Sequence, residues 1–287
     1  TELFNEFGVT SFFEGVQVTS TQPIAVQFSG YSQILDSPPM GANQQYRSAF
    51  SSLAVPAGGA TTGVLPTIGE SVFVNAGSTA VDISVEVINS DGLIDIFDIT
   101  SVQPGELVFG PDTSGLASNA VAMRYDATGA VAGFLLHEAD GLTRVTPFQT
   151  ELGNSLHFAS ADVRLVTDPW ELGVYNPWTE TTPTRFMVRF DFADGTSIST
   201  IPLSFGIDGF RSLDLDDPEL VAVRAKIAGG DRRFSVTVLS VDGAGTPGLG
   251  SELSAMLLRS TAAGDDGSAM IAMTTGTTFP WVPGLMV

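Results

Sequence analysis

Val81-Asp82-Ile83-Ser84-Val85-Glu86-Val87 decides the fold class. Successive side chains of a strand point to opposite faces, so Val81, Ile83, Val85 and Val87 share one face. Asp82, Ser84 and Glu86 take the other, which is how a half-buried antiparallel strand reads. Phe186-Met187-Val188-Arg189-Phe190-Asp191-Phe192 repeats the pattern, with Phe186, Val188, Phe190 and Phe192 inward. Phe234-Ser235-Val236-Thr237-Val238-Leu239 is a third case. The first two runs each end in Asp-Gly, at Asp91-Gly92 and Asp194-Gly195. That pair suits a tight turn, because Gly accepts positive φ and Asp tolerates it. No apolar stripe of helical period reaches ten residues. The expectation is an all-β fold of tandem antiparallel β-sandwich domains.

The same features occur twice. Val72-Phe73-Val74-Asn75 precedes the first alternating run, and Gly173-Val174-Tyr175-Asn176 precedes the second. Val121-Ala122-Met123-Arg124 is matched with Val221-Ala222-Val223-Arg224. A period of about a hundred residues means duplicated domains, not the short units of a solenoid. The organisation expected is module 1 over 66–152 and module 2 over 153–260. A third, partial copy is read in 1–65. There Gly15-Val16-Gln17-Val18 and Pro23-Ile24-Ala25-Val26-Gln27-Phe28 resemble Ala120–Met123 and Gly129–Phe134, both taken as hairpins. Residues 261–287 form a linker and an apolar tail. The extra length of module 2 is assigned to a loop at Pro177–Pro183.

Composition excludes several functions. Twelve basic against 32 acidic residues, net −20, would repel a phosphate backbone, so nucleic acid is not an expected partner. Apolar segments are too short to span a membrane as a helix. Cysteine is absent, which removes disulfides, thiolate chemistry and cysteine-ligated metal. Lys226 is the sole lysine, against lysine-dependent cofactors and lysine cross-links. The chain begins at Thr1, which suits a processed mature protein or a fragment.

Candidate sites are few. His137-Glu138-Ala139-Asp140 opens like a zinc-protease helix, but Gly141 stands where the second His is needed. His157 lies in a strand-like context. No nucleophile turn, phosphate loop or dinucleotide fingerprint occurs, and the chain is not read as an enzyme. Asp208, Asp214, Asp216 and Asp217, with Glu219 nearby, are the candidate ligands for Ca²⁺, the one cofactor considered. The spacing is not that of an EF-hand, since Leu213 occupies the place of the required Gly. Trp170, Tyr175 and Trp178 form an aromatic group that could stack on sugar rings or pack internally.

The strand-Asn-…-Asp-Gly pattern and the hairpin ending like Pro23-Ile24-Ala25-Val26 resemble the Ig-like sandwich repeats of secreted bacterial surface proteins. The resemblance covers most of 15–260. It implies an extracellular or cell-surface building module and carries over no site residue.

The function expected is therefore that of a secreted structural protein, a subunit of a filament, sheath or surface layer. The alternative is an adhesin-type module binding glycan or another surface protein. Leu3, Phe4, Phe7, Phe12 and Phe13 at one end, and Met270, Ile271, Phe279, Trp281 and Val282 at the other, are apolar without a module of their own. Either the tail closes the N-terminal half-module within the chain, or the ends pair between chains. Pairing between chains, by head-to-tail contact or strand addition, is the expectation.

Overall fold

The alternating run at Val81 forms β5 (Val81–Asn89), whose Val81, Ile83, Val85 and Val87 are buried while Asp82 is exposed. The second run forms β12 (Arg185–Phe192), with Phe186, Val188, Phe190 and Phe192 buried. These strands belong to a computed structural model. It describes residues 27–33, 46–53, 59–111, 119–139, 142–158, 163, 170–177, 185–260, 267–271 and 273–274. The described residues are mostly β, in several antiparallel sheets, with one short α-helix.

Both Asp-Gly turns are built alike. Gly92 (φ 82) and Gly195 (φ 86) take the left-handed conformation that glycine tolerates best. Their N–H groups donate to Asn89 O at 2.9 Å and Phe192 O at 3.0 Å. The Asp91 carboxylate accepts from Leu93 N–H, and that of Asp194 from Thr196 N–H.

Around these hairpins the chain makes two units with one strand order. In the first, β6 (Ile94–Val102) pairs with β5, β5 with the first half of β8 (Ala120–Ala139), and that half with β3 (Ala60–Leu65). The second half of β8 pairs with β4 (Glu70–Asn75) and β9 (Leu142–Pro147), and β4 with β7 (Leu107–Phe109). In the second unit β13 (Ser197–Ser199) pairs with β12, β12 with β16 (Phe234–Val241), and β16 with β10 (Ser155–Phe158). Its other sheet runs β15 (Phe210–Asp214), β11 (Trp170–Tyr175), β17 (Ser254–Ser260) and β18 (Gly267–Ile271). Two short strands, β14 (Leu203–Ser204) and β19 (Met273–Thr274), add to β12 and β10. β16 and β17 thus stand where the two halves of β8 stand. The separate pair β1 (Gln27–Gln33) and β2 (Tyr46–Leu53) forms a two-stranded sheet.

The structure corrects three sequence readings. Val221–Ala228 is not a strand but helix α1, so its match to Val121–Arg124 fails. A valine alternation of four residues fits either period. Leu220, Val223 and Ile227, all buried, recur at the helical one. In strand order the partner of Val121–Arg124 is Phe234–Thr237. Met123 pairs with Val87 of β5, and Val236 with Phe190 of β12. Secondly, Ala120–Phe134 is no hairpin: β8 runs unbroken for 20 residues and changes partner from β5 to β4 along its length. Thirdly, Met270 and Ile271 do not stand outside a module, because β18 pairs with β17 of the second unit, Met270 opposite Leu257 and Ile271 opposite Met256. Gln27 and Phe28 lie in β1, which pairs with β2, while residues 15–26, on which the reading of a partial copy mainly rests, lie outside the described residues.

Each unit encloses its own core. In the second, Leu172, Val174, Leu213 and Leu257 of one sheet meet Phe186, Val188, Phe190, Val236 and Val238 of the other, and α1 closes one end with Val223 and Ile227. Lys226 of α1 bonds Asp194 at 2.7 Å and Asp231 at 2.8 Å, with its ammonium 5.0 Å from the Phe192 ring centre, so the single lysine fastens the helix to the Asp-Gly turn. In the first, Phe73, Tyr125 and Phe148 pack edge-on or tilted at 5.2–5.7 Å. Burial pushes the Tyr125 phenol up to about 12. Gly63 makes room for this group: a Cβ there would lie 2.4 Å from Tyr125 Cε1 and 2.8 Å from Phe148 Cβ. Gly63→Ala is expected to lower stability by about 1–3 kcal/mol, the usual effect of overpacking, measured by urea unfolding. An unchanged midpoint would show that Tyr125 is not held there.

Candidate functional site

Several polar side chains, Gln149, Glu86, Arg124, Tyr175 and Asp208 among them, lie where the two units meet. β17 belongs to the second unit by pairing, yet both of its faces are buried. Ala255 and Leu257 enter the second core, while Met256 enters the first, with Leu258 packed against it. A strand buried on both faces carries a continuous apolar run, as Ala255-Met256-Leu257-Leu258 does.

Gln149 fixes this strand to the first unit. Its backbone exchanges hydrogen bonds with Val64 of β3, at 2.9 and 3.0 Å. Its side-chain oxygen accepts from Ser254 Oγ at 2.9 Å and from Ala255 N–H at 3.2 Å. The amide nitrogen donates to Glu151 O at 2.8 Å. One buried amide therefore joins an edge of the first unit to the backbone of the second, and Gly153 pairs with Leu253 just beyond it.

A second contact lies on the outer face of the β5–β8 pair. Val64, Ile88 and Ala122 form a cluster with Tyr175 of β11, against which Phe210 packs. Beside it the Arg124 guanidinium binds the Glu86 carboxylate and reaches Pro177 O at 3.5 Å. Burial opposes the Arg124 charge, but the bond to Glu86 and its field outweigh this, so the group stays above its ordinary value. Burial raises the Tyr175 phenol, and burial likewise raises Asp208, which accepts from Phe210 N–H at 3.1 Å. Gly173 lets β11 approach, because a Cβ there would stand 2.8 Å from Pro66 O.

The sequence-derived candidates fall elsewhere or serve other ends. Trp170 and Tyr175 are each 2% exposed, so neither can stack on a sugar: Trp170 packs on Phe190 and Phe234, and Tyr175 lies in the junction. Trp178 lies outside the described residues. The carboxylates shape turns. Asp214 accepts from Asp216 N–H and Asp217 from Asp214 N–H, both at 2.7 Å, while Asp216 pairs with Arg224 and Glu219 with Arg211. Among the described residues no three His, Asp or Glu side chains converge as metal ligands. His157 Nδ1 meets Thr237 Oγ1 at 3.0 Å across a strand pair. Asn75 is buried and bonds Thr79 O and Val102 O, both at 2.8 Å, so its recurrence as Asn176 marks structure. Leu3, Phe4, Phe7, Phe12, Phe13, Phe279, Trp281 and Val282 lie outside the described residues, as does the loop assigned to Pro177–Pro183 beyond its first residue.

Sequence reasoning missed Gln149 and β17. The continuous apolar run was a usable signal for β17; a lone glutamine carries none.

Gln149→Leu keeps the bulk but leaves Ala255 N–H and Ser254 Oγ without their acceptor. Stability is expected to fall by about 1–3 kcal/mol for the buried groups left unpaired. Chemical denaturation measures it, and a loss no larger than that of a surface substitution would show that the amide is not a joint.

No protein-family model, curated protein or solved structure matches the chain.

Proposed function

We propose that this protein is a structural subunit of an extracellular assembly, a filament, sheath or surface layer, built by association of its own copies. The observation that carries this reading is the junction: two units of one strand order are joined by buried packing and a buried amide, not by a loose linker. A polymer subunit must transmit load and hold a fixed angle, and a shared strand does both. The units are read as tandem Ig-like sandwiches, each enclosing a single core, over about 66–152 and 153–260, with β3 added to the first and β18 and β19 to the second. Secretion to the cell surface fits a cysteine-free, turn-rich chain whose −20 charge opposes unspecific clumping. No described helix is long and apolar enough to cross a membrane. Among the described residues, Trp170 and Tyr175 are buried in a core and in the junction, and Asp214, Asp216 and Asp217 bond within a turn.

Sedimentation velocity over a range of concentration and salt, with electron microscopy of the same samples, tests the reading. Association that grows with concentration, and rises with salt as like charges are screened, is the expected result. A strict monomer under every condition would end it.

A further inference from the structure

We propose that β6 is the surface on which two copies of this chain pair, antiparallel about a two-fold axis that sets Ile96 opposite Ile96. The inference rests on the self-association reading and names the contact.

β6 is the longest open edge among the described strands. It has nine residues, against seven in β1, three in β7, three in β13 and two in β14 and β19. β15 runs almost at once into a 3-10 turn and α1, and β9 has β2 and β18 beside it. Among the described residues no strand lies beside the outer side of β6, where Leu93 is 66% exposed, Ile94 43% and Ile96 62%. An exposed edge with apolar side chains is what proteins ordinarily avoid unless it has a partner.

The hydrogen bonds available at this edge follow from the turn. Asn89 N–H donates to Leu93 O, so in the alternating ladder Asp95, Phe97 and Ile99 bond to β5. Ile94, Ile96 and Asp98 therefore direct their N–H and C=O groups to the open side. The straight part ends at Ile99, because the register shifts between Ile83 and Val81, and Ser101 takes a positive φ of 61.

Charge then selects the register and the occupant. A two-fold axis normal to the sheet keeps each residue on its own face, so only registers pairing residues of like parity are allowed. One step toward Leu93 sets Asp95 opposite Asp95, and two steps the other way set Asp98 opposite Asp98, like charges whose direct opposition is destabilising. The register between, Phe97 on Phe97, opposes no carboxylates but pairs only Asp95–Ile99 of the straight part. With Ile96 on Ile96, Asp98 faces Ile94, Asp95 faces Phe97 and Leu93 faces Ile99. Leu93–Ile99 is then used in full, stopping short of the bulge, with no carboxylate opposite another. The strand is complementary to itself, which points to a second copy and not to an unrelated partner. The surface also continues the junction: Ile94 pairs with Ile88 of the buried cluster, and Gly92 abuts Ile207, itself 83% exposed.

Because the chain has no cysteine, single-cysteine variants report the contact directly. Ile96→Cys would bring two thiols together across the axis, at a Cα separation that a disulfide accepts. Air oxidation of the full chain should give a covalent dimer about a hundredfold faster than Leu249→Cys, an exposed control, since paired thiols share a millimolar effective concentration. Ile96→Lys, checked for an unchanged melting curve, should reduce the association seen by sedimentation. If the unmodified chain associates while Ile96→Cys oxidises no faster than the control and Ile96→Lys associates normally, the β6 contact is wrong and self-association stands. If the unmodified chain never associates, both are overturned.

Discussion

The buried amide of Gln149 is the constraint on which the rest of the structure depends. It sits where β3 of the first unit and β17 of the second run side by side, and it satisfies backbone and hydroxyl donors that would otherwise be stranded away from water. Because β17 must present one face to each core, its sequence cannot alternate, and its backbone cannot shift register without exposing one of the two sets. The pairing of Gly153 with Leu253 and the seating of Tyr175 and Phe210 on Val64, Ile88 and Ala122 follow from that placement.

A fixed junction gives the two units a shared orientation, and that orientation decides what stays open. The second unit covers part of the outer face of the β5–β8 pair, and Ile94 and Ile96 lie next to the covered part but remain exposed. Apolar side chains at an open strand edge would be a liability in a protein that works alone. In a subunit they are a contact. The strong negative charge works against encounter between copies, so a contact must keep carboxylates out of direct opposition, and the residues of β6 allow this in the Ile96-centred register.

Much of the fold was legible in the sequence because strands and turns are written locally. Alternation exposed β5, β12 and β16, and Asp-Gly gave both hairpins, since their physics involves only near neighbours. The like strand order of the two units was legible through Asn75 and Asn176, but the second anchor of the repeat was misplaced. Val221–Arg224 and Val121–Arg124 share residue types, and four residues cannot separate a period of 2 from one of 3.6. The stretch between Met123 and Gly129 was read as a turn, whereas β8 passes through it from one set of partners to another, a tertiary fact. The site was hardly legible. Tyr175 and Asp208 were noticed as a sugar platform and a metal ligand, whereas the structure seats them at the junction, and Gln149 went unnoticed because its role lies in partners more than a hundred residues away. The tail residues Met270 and Ile271 read as unassigned because pairing with β17 cannot be seen without it.

Differential scanning calorimetry of the intact chain in its dispersed form tests the junction most directly. Two cores sharing β17 and a buried amide should melt as one cooperative body, with calorimetric and van't Hoff enthalpies equal. Two resolved transitions, or a calorimetric enthalpy well above the van't Hoff value, would show that the units unfold independently and that the junction does not bind them into one subunit.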